Sequence, residues 1–300
     1  MKVRIGFGLG TNSQTNDPTR LGPLVDGLEA FGYDSVWFAE RVAGATLDPV
    51  VAMTWAAART RKLKFGPSVM VVPGRNPVLL AKSLASLDRV SNGRLLPAFG
   101  LGAVNLAEHQ AFGVERGERA RWFNEALPLL RRLWTEDVVD HDGERFHLEG
   151  VRVQPKPIQE PLEIWLGGIA PSELRRTGRL GDGWLPSFCT PDDVADAIPV
   201  IDEHSADAGV PAIDREHFGA LIGYTIDGSM PERIVKAVQL RRPELEPADI
   251  VVQGRDGLPG RIKEFIDAGA SKFVVMPFTE PDDWTAELDQ LAEAVLHFHG

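Results

Sequence analysis

Short apolar runs alternate with longer amphipathic stretches along most of the chain, and this alternation constrains the fold more than any other feature. Apolar runs at residues 3–9, 35–39 and 63–72 are typical of strands, and the stretches between them carry apolar residues at helical spacing. Further strands are predicted at residues 94–100, 162–166, 183–187, 217–226 and 272–276. Strands separated by helices run parallel, and eight strand–helix units close most naturally into a barrel. The sequence therefore predicts an α/β fold, a single (β/α)8 TIM barrel domain over residues 1–300.

The alternation is interrupted once, after the predicted fourth helix at residues 118–134. Residues 138–153 alternate in polarity and contain Asp142-Gly143, a strong hairpin signal. We therefore expect a β-hairpin insertion between helix 4 and strand 5. The alternative fold is a doubly wound open sheet. Its GxGxxG phosphate motif is missing, because Gly6, Gly8 and Gly10 lie within the first strand at the wrong spacing.

Composition narrows the class of function. The formal net charge of −11 argues against non-specific binding to nucleic acid or an anionic membrane, and no apolar run approaches the roughly 18 residues of a membrane helix. The one cysteine, Cys189, excludes an intramolecular disulfide, fits a reducing compartment, and is interpreted as an apolar filler rather than a nucleophile. The scattered histidines form no HxxxH or HExxH pair, so no metal site is predicted. We expect a cytoplasmic protein whose partner is a small molecule.

In a barrel of this kind, function resides in the loops that follow the strands. Gly167-Gly168 leads into a predicted helix, whose free N–H groups and dipole favour an anion, although a tight turn that needs glycine explains the pair as well. Ser187, in the next loop, has a hydroxyl for the same anion. Glu40-Arg41 ends the second strand and is interpreted either as a salt bridge at the rim or as a polar pair facing the reacting centre.

Several stretches, in the same order along the chain, resemble the luciferase-like flavin- and deazaflavin-dependent oxidoreductases. They are GYDSVWFAER (32–41), NPVLLAKSLASLDRVSNGRL (76–95), AEHQAFGVERGERARWFNEALPLLRRLWTE (107–136), VQPKPIQEPLEIWLGG (153–168) and RLGDGWLPS (179–187). The likeness covers roughly residues 1–200 and is weaker in GRIKEFIDAGASKFVVMP (260–277). It implies a (β/α)8 barrel with its cofactor at the carboxyl ends of the strands. The AEHQAFG stretch favours the branch that uses the deazaflavin coenzyme F420, with FMN as the alternative.

The resemblance also implies which residues form the cofactor site. Gly167–Gly168 matches the glycines that hold the cofactor phosphate, and Ser187 matches a hydroxyl that follows DGW. Ser68–Val69 matches a bulge, often with a non-prolyl cis peptide, that backs the ring system. Glu40 matches an acidic residue at the edge of the ring, and Asn105 matches an asparagine after strand four.

Two departures from the family pattern bear on the reaction. Arg41 stands where many deazaflavin dehydrogenases have a histidine. An arginine stays protonated at ordinary pH, so it cannot act as a neutral base, but it can stabilise an oxyanion or hold an anionic substrate. The sugar-phosphate dehydrogenases carry a glutamate soon after strand four, where this chain has Ala103-Val104, so sugar-phosphate oxidation is not expected.

The predicted function is therefore hydride transfer between F420 and a small organic substrate, with Arg41 and Glu40 as the catalytic residues. A carbonyl or activated alkene suits Arg41 best. The alternatives are an FMN-dependent monooxygenase that uses reduced flavin and O2, and a non-catalytic flavin-binding protein. A polyglutamate tail would need a basic exit groove, for which Arg75, Arg175 and Arg179 are the predicted residues. Family members are often homodimers, and a homodimer is an open prediction here.

Overall fold

A computed structural model describes residues 1–11, 17–103 and 105–300, which form strands alternating with helices. The strands are β1 Arg4–Leu9, β2 Ser35–Phe38, β3 Lys64–Pro67, β4 Met70–Val71, β5 Ala98–Gly100, β6 Val139–Asp142, β7 His147–Val151, β8 Trp165–Leu166, β9 Gly183–Trp184, β10 Gly219–Thr225, β11 Val251–Gln253 and β12 Lys272–Pro277. The helices are α1 Pro18–Phe31, α2 Pro49–Arg59, α3 Pro77–Val90, α4 Leu106–Phe112, α5 Arg119–Thr135, α6 Pro171–Leu180, α7 Pro191–Ala208, α8 Glu232–Arg241, α9 Pro247–Ile250, α10 Leu258–Asp267 and α11 Trp284–Val295. In these ranges no helix is both long enough and apolar enough to cross a membrane.

The parallel strands follow one another around a ring. One sheet contains β10, β12, β1, β2 and β3 in spatial order, and a second contains β4, β5, β8 and β9. Isolated bridges connect the two sheets, Phe65 to Leu95 on one side and Trp184 to Phe218 on the other. Since β3 and β4 share one position, eight positions complete the ring, and the predicted TIM barrel is confirmed.

The structure confirms the predicted hairpin and adds two details to the predicted order of elements. The hairpin of β6 and β7 is antiparallel and lies between α5 and β8, as predicted. The third strand is divided into β3 and β4 at residues 68–69. The short elements α4 and β11 were not predicted. β11 pairs with β10 outside the ring, and α4 is only seven residues long, too short for a periodic signal.

The interior is filled at the amino end of the strands, so that a cavity can form only at the other end. Trp37 and Trp165 are buried inside the barrel, and the ammonium of Lys272 lies 6.0 and 5.7 Å from their ring centroids. Lys272 begins β12 and pairs with Asp34 at 2.7 Å, so this cation is at the amino end of the barrel. Burying each tryptophan removes enough apolar surface to contribute on the order of 5 kcal/mol before its entropy cost.

Candidate functional site

A cavity of about 740 Å³ lies at the carboxyl ends of the barrel strands. Its wall includes the residues that end β1, β4, β5 and β8, namely Leu9, Val71, Gly100 and Leu166. Small-molecule sites in proteins range from about 300 to 1,000 Å³. The cavity therefore has the size and position that the barrel fold predicts for a binding site.

Most of the predicted site residues line this one cavity. They are Glu40, Arg41, Ser68, Val69, Gly167, Gly168 and Ser187. Asn105 does not line it: its side-chain oxygen accepts a hydrogen bond of 2.9 Å from the backbone N–H of Glu108 and caps α4. The cap accounts for an asparagine at this position. The roles assigned to all eight residues remain predictions.

Ser68 and Val69 form the bulge between β3 and β4, and the peptide bond that joins them is cis. The predicted non-prolyl cis geometry is thus present. The Ser68 N–H donates to the carbonyl of Phe38 at 2.8 Å, which ties the bulge to β2. On the neighbouring strand, a Cβ added to Gly100 would overlap the Val69 side chain, so glycine makes room for the bulge.

Glu40 is bound by the loop that follows β4 rather than by its neighbour in sequence. One oxygen accepts from the backbone N–H of Val71 at 2.7 Å, and both oxygens accept from the Arg75 guanidinium at 2.6 and 3.0 Å. Only 6% of the Glu40 side chain is exposed. Arg75 also donates to the Val71 carbonyl. Of the two interpretations left open for Glu40-Arg41, the structure shows no salt bridge between the two, and the carboxylate links the end of β2 to the segment after the bulge.

The arginines that line the cavity are not the three that were predicted to form a basic exit groove. Arg75, Arg175 and Arg179 do not line the cavity, because Arg75 is paired with Glu40 and the other two lie exposed on α6. The arginines that do line it are Arg41, Arg176, Arg233, Arg241 and Arg242. The sequence carries a signal for part of this wall: residues 233, 237 and 241 are four apart and share one face of α8.

The cavity arginines differ in what binds them. Arg242 pairs with Asp193 at 2.7 Å, Arg176 donates to the side-chain oxygen of Asn124 at 2.7 Å, and Arg233 donates to a backbone carbonyl. In contrast, the guanidinium groups of Arg41 and Arg241 have no hydrogen bond or ion pair with any residue that the structure describes. Arg241 lies over the ring of Phe188, 4.2 Å from its centroid.

The turn at Gly167–Gly168 precedes α6, as predicted, but its anion position already holds a carboxylate. Glu173 accepts a hydrogen bond of 3.1 Å from the backbone N–H of Ala170 at the start of α6, and it lines the cavity. Gly168 has a φ of +90°, and a Cβ added there would overlap the Glu173 carboxylate. The turn therefore requires glycine for its conformation, and a phosphate bound here would share the helix terminus with Glu173.

Arg119 holds the loop that follows β5. The guanidinium of Arg119 donates to the carbonyls of Leu101, Gly102 and Ala103 at 3.0 to 3.2 Å, which holds the loop after β5 against the cavity. Val104, the second residue of the Ala103-Val104 pair that stands where the sugar-phosphate dehydrogenases carry a glutamate, lies outside the described residues.

Neither metal binding nor thiol chemistry is supported by the residues that the structure describes. No group of three or more histidine, cysteine or carboxylate side chains there converges to hold a metal ion. Burial raises the pKa of the Cys189 thiol to about 12, which agrees with its interpretation as a buried filler.

Comparison with protein families gives a match to the luciferase-like monooxygenase model over residues 2–237. Among curated relatives, an F420-dependent glucose-6-phosphate dehydrogenase of Gordonia bronchialis is 31% identical over 234 residues, 72% of this chain and 68% of the relative. The enzyme of the same name from Kineococcus radiotolerans is 29% identical over 189 residues, 60% of this chain and 55% of the relative. The matches thus span about half to two thirds of the relatives' lengths.

Solved structures share the fold across the whole chain. An F420-dependent secondary alcohol dehydrogenase in complex with an F420-acetone adduct superposes with a TM-score of 0.83 at 20% identity and covers 100% of both chains. A monooxygenase from Streptomyces bottropensis superposes with a TM-score of 0.79 at 20% identity, covering 98% of this chain and 99% of the other. These likenesses support the barrel architecture.

Proposed function

Because the chain belongs to the luciferase-like monooxygenase family, we propose that it is an oxidoreductase that transfers hydride between coenzyme F420 and a small organic substrate. The observation that carries the proposal is the cavity of about 740 Å³ at the carboxyl ends of the strands, which is lined by Ser68–Val69, Gly167–Gly168 and Arg41 together. Its F420-dependent relatives favour the deazaflavin over FMN. The expected setting is the cytoplasm, and the whole of residues 1–300 is taken as the catalytic domain.

The residues of the cavity suit a flat cofactor with a phosphate. Glycines contribute backbone without side chains at Gly8, Gly10, Gly100, Gly102, Gly167 and Gly168. In our proposal Ser68–Val69 backs the ring system, and the Gly167–Gly168 turn binds the phosphate together with the exposed hydroxyl of Ser187. When bound, the deazaflavin supplies the carbon centre that accepts or donates hydride.

Arg41 and Glu40 have different roles in this proposal. A carbonyl that receives hydride at carbon develops negative charge at oxygen, and the guanidinium of Arg41, which has no ion-pair partner among the described residues, is a cation that can stabilise such a charge. The Glu40 carboxylate accepts hydrogen bonds from Arg75 and Val71, so it positions the segment after the bulge instead of moving a proton. The proposed direction is therefore reduction of a carbonyl or an activated alkene.

Cofactor identity is tested by titrating the purified protein with F420 and with FMN and following fluorescence. We expect F420 to bind more tightly, and Ser187→Ala to weaken it about tenfold or more, since a hydrogen bond to a charged group contributes about 1.5–3 kcal/mol. Ser83→Ala, an exposed serine on α3 outside the cavity, is the matched control. Binding of neither cofactor would overturn the proposal.

The reaction is tested by single-turnover mixing of the reduced-coenzyme complex with a panel of carbonyls and activated alkenes. Arg41→Ala should abolish hydride transfer while the affinity for F420 is retained. Full activity in this variant would contradict the role of Arg41. Preferential FMN binding with O2 consumption would favour the monooxygenase, and F420 binding without turnover of any compound would favour a flavin-binding protein.

A further inference from the structure

We propose that Arg41 and Arg241 together bind a carboxylate or phosphate group of the substrate, so that the enzyme acts on anionic carbonyls or alkenes. The inference rests on the proposed function, because it takes the coenzyme phosphate to lie at Gly167–Gly168 and Ser187. Arg41 lies in the loop after β2 and Arg241 ends α8, two hundred residues later, yet both line one cavity.

Both guanidinium groups lack an anion within the described chain. Every other arginine of the cavity wall donates to a carboxylate, an amide oxygen or a backbone carbonyl, as shown above for Arg176, Arg233 and Arg242. Arg41 and Arg241 have no such acceptor among the described residues. Their N–H groups are therefore available to a molecule in the cavity.

The two cations lie close enough to repel each other. Burial lowers the pKa of Arg241, and the charge of Arg41 lowers that pKa further. A negatively charged group between them would remove this repulsion and favour the charged form of Arg241. Two like charges that share a partly enclosed cavity repel each other, so the arrangement favours an anionic ligand.

Arg241 is also held in place for recognition. Its guanidinium stacks on Phe188, which follows Ser187 in the loop after β9 and is itself half-buried. Stacking limits the motion of the long side chain and leaves the edge of the planar group, with its N–H donors, free. A planar fork of donors matches the oxygens of a carboxylate or a phosphate better than a lysine does.

The Arg41–Arg241 pair determines which substituent the substrate carries beside its reacting bond. In the proposed direction, hydride adds to the carbonyl carbon or the alkene carbon, solvent supplies the proton, and the reduced coenzyme is oxidised. The arginines take no part in the electron balance. Both bind the anionic substituent, and in our proposal Arg41 also stabilises the charge that develops on the carbonyl oxygen.

Inorganic phosphate is the probe for this site, titrated calorimetrically into the F420-loaded protein and into the protein alone. We expect Arg41→Gln and Arg241→Gln each to weaken phosphate binding by about tenfold or more. Arg175→Gln removes the same charge from an exposed position outside the cavity and should change the affinity less than about twofold. Loss of F420 binding with retained phosphate binding would refute the proposed function and leave the anion site standing.

A second arm distinguishes the substrate from the coenzyme's own tail. The affinities of F420 and of its analogue without the glutamate tail are compared in the same variants. We expect both affinities to be retained, and kcat/KM of Arg241→Gln to fall at least tenfold for keto acids but little for their neutral amides, whereas Arg41→Gln should slow both because Arg41 also stabilises the developing oxyanion. The inference is overturned if the variants weaken only the tailed coenzyme, if phosphate binds equally to all proteins, or if Arg241→Gln loses activity alike on neutral and acidic substrates. Circular-dichroism melting checks that each variant is folded, and Arg241→Lys should recover part of the loss.

Discussion

Glutamine substitutions at Glu40 and Arg75 test whether the Glu40 carboxylate supports the cavity wall or moves protons. Glu40→Gln keeps the side-chain shape and one oxygen for the Val71 N–H, but it removes the charge that holds Arg75 at 2.6 Å. Arg75→Gln removes the same ion pair from the other side, at a residue that does not itself line the cavity. If Glu40 acts through position alone, the two variants should behave alike.

The size of the effect follows from burial. Glu40 has 6% of its side chain exposed and Arg75 has 25%. Breaking a buried pair by removing one partner costs about 3–5 kcal/mol, and access of water to Arg75 reduces this to about 2–3 kcal/mol. For a chain of this length, that loss lowers Tm by roughly 4 °C. The double variant should be no less stable than the weaker single one, with a coupling energy of about 1–2 kcal/mol.

The assay combines urea unfolding with F420 affinity and the single-turnover rate. A positioning role predicts that both single variants lose stability and coenzyme affinity together. Lys263→Gln, which breaks an exposed pair with Asp267 on α10, is the control and should cost less than about 0.5 kcal/mol. The reasoning is refuted if Glu40→Gln slows hydride transfer by about a hundredfold or more at normal stability, while Arg75→Gln does not.

Further predictions concern the amino end, the α6 turn and the thiol. Burial alone would raise the pKa of Asp34, but the charges of Lys272 and Lys64 outweigh it and hold the pKa well below its usual range. Its pairing therefore stabilises the fold above about pH 4, and this contribution is lost as the pH falls further. In urea unfolding, the stability difference between wild type and Asp34→Asn should be constant above about pH 5 and shrink below pH 4; a constant difference down to pH 3 would contradict this. Gly168→Ala should cost about 2–3 kcal/mol of unfolding free energy, because it adds strain at positive φ and displaces the Glu173 cap; an unchanged urea midpoint would show that the turn relaxes freely. Cys189, buried with its pKa raised to about 12, should react with an aromatic disulfide reagent at pH 8 only after unfolding, and rapid native labelling would argue against this burial.

The sequence by itself determined the architecture and the end of the barrel that carries the site. Burial of a strand or a helix face is a local property, so a period of apolar residues reports it directly. Local signals also located the helix that begins at Asn76-Pro77 and the hairpin at Asp142-Gly143. The resemblance to a family then selected positions such as Ser68–Val69, which the structure shows as a cis peptide.

Only the tertiary structure decided which charged groups meet. Glu40 binds Arg75, 35 residues away, instead of the adjacent Arg41, because the segment after β4 folds back and brings the Val71 N–H and the Arg75 guanidinium to the Glu40 carboxylate. The same convergence of loops brings Arg41 near Arg241 and sets Glu173 at the predicted anion position. Such contacts depend on the closure of the ring, which no local period records. For this reason the binding cavity was predictable from sequence, whereas its charge pairing was not.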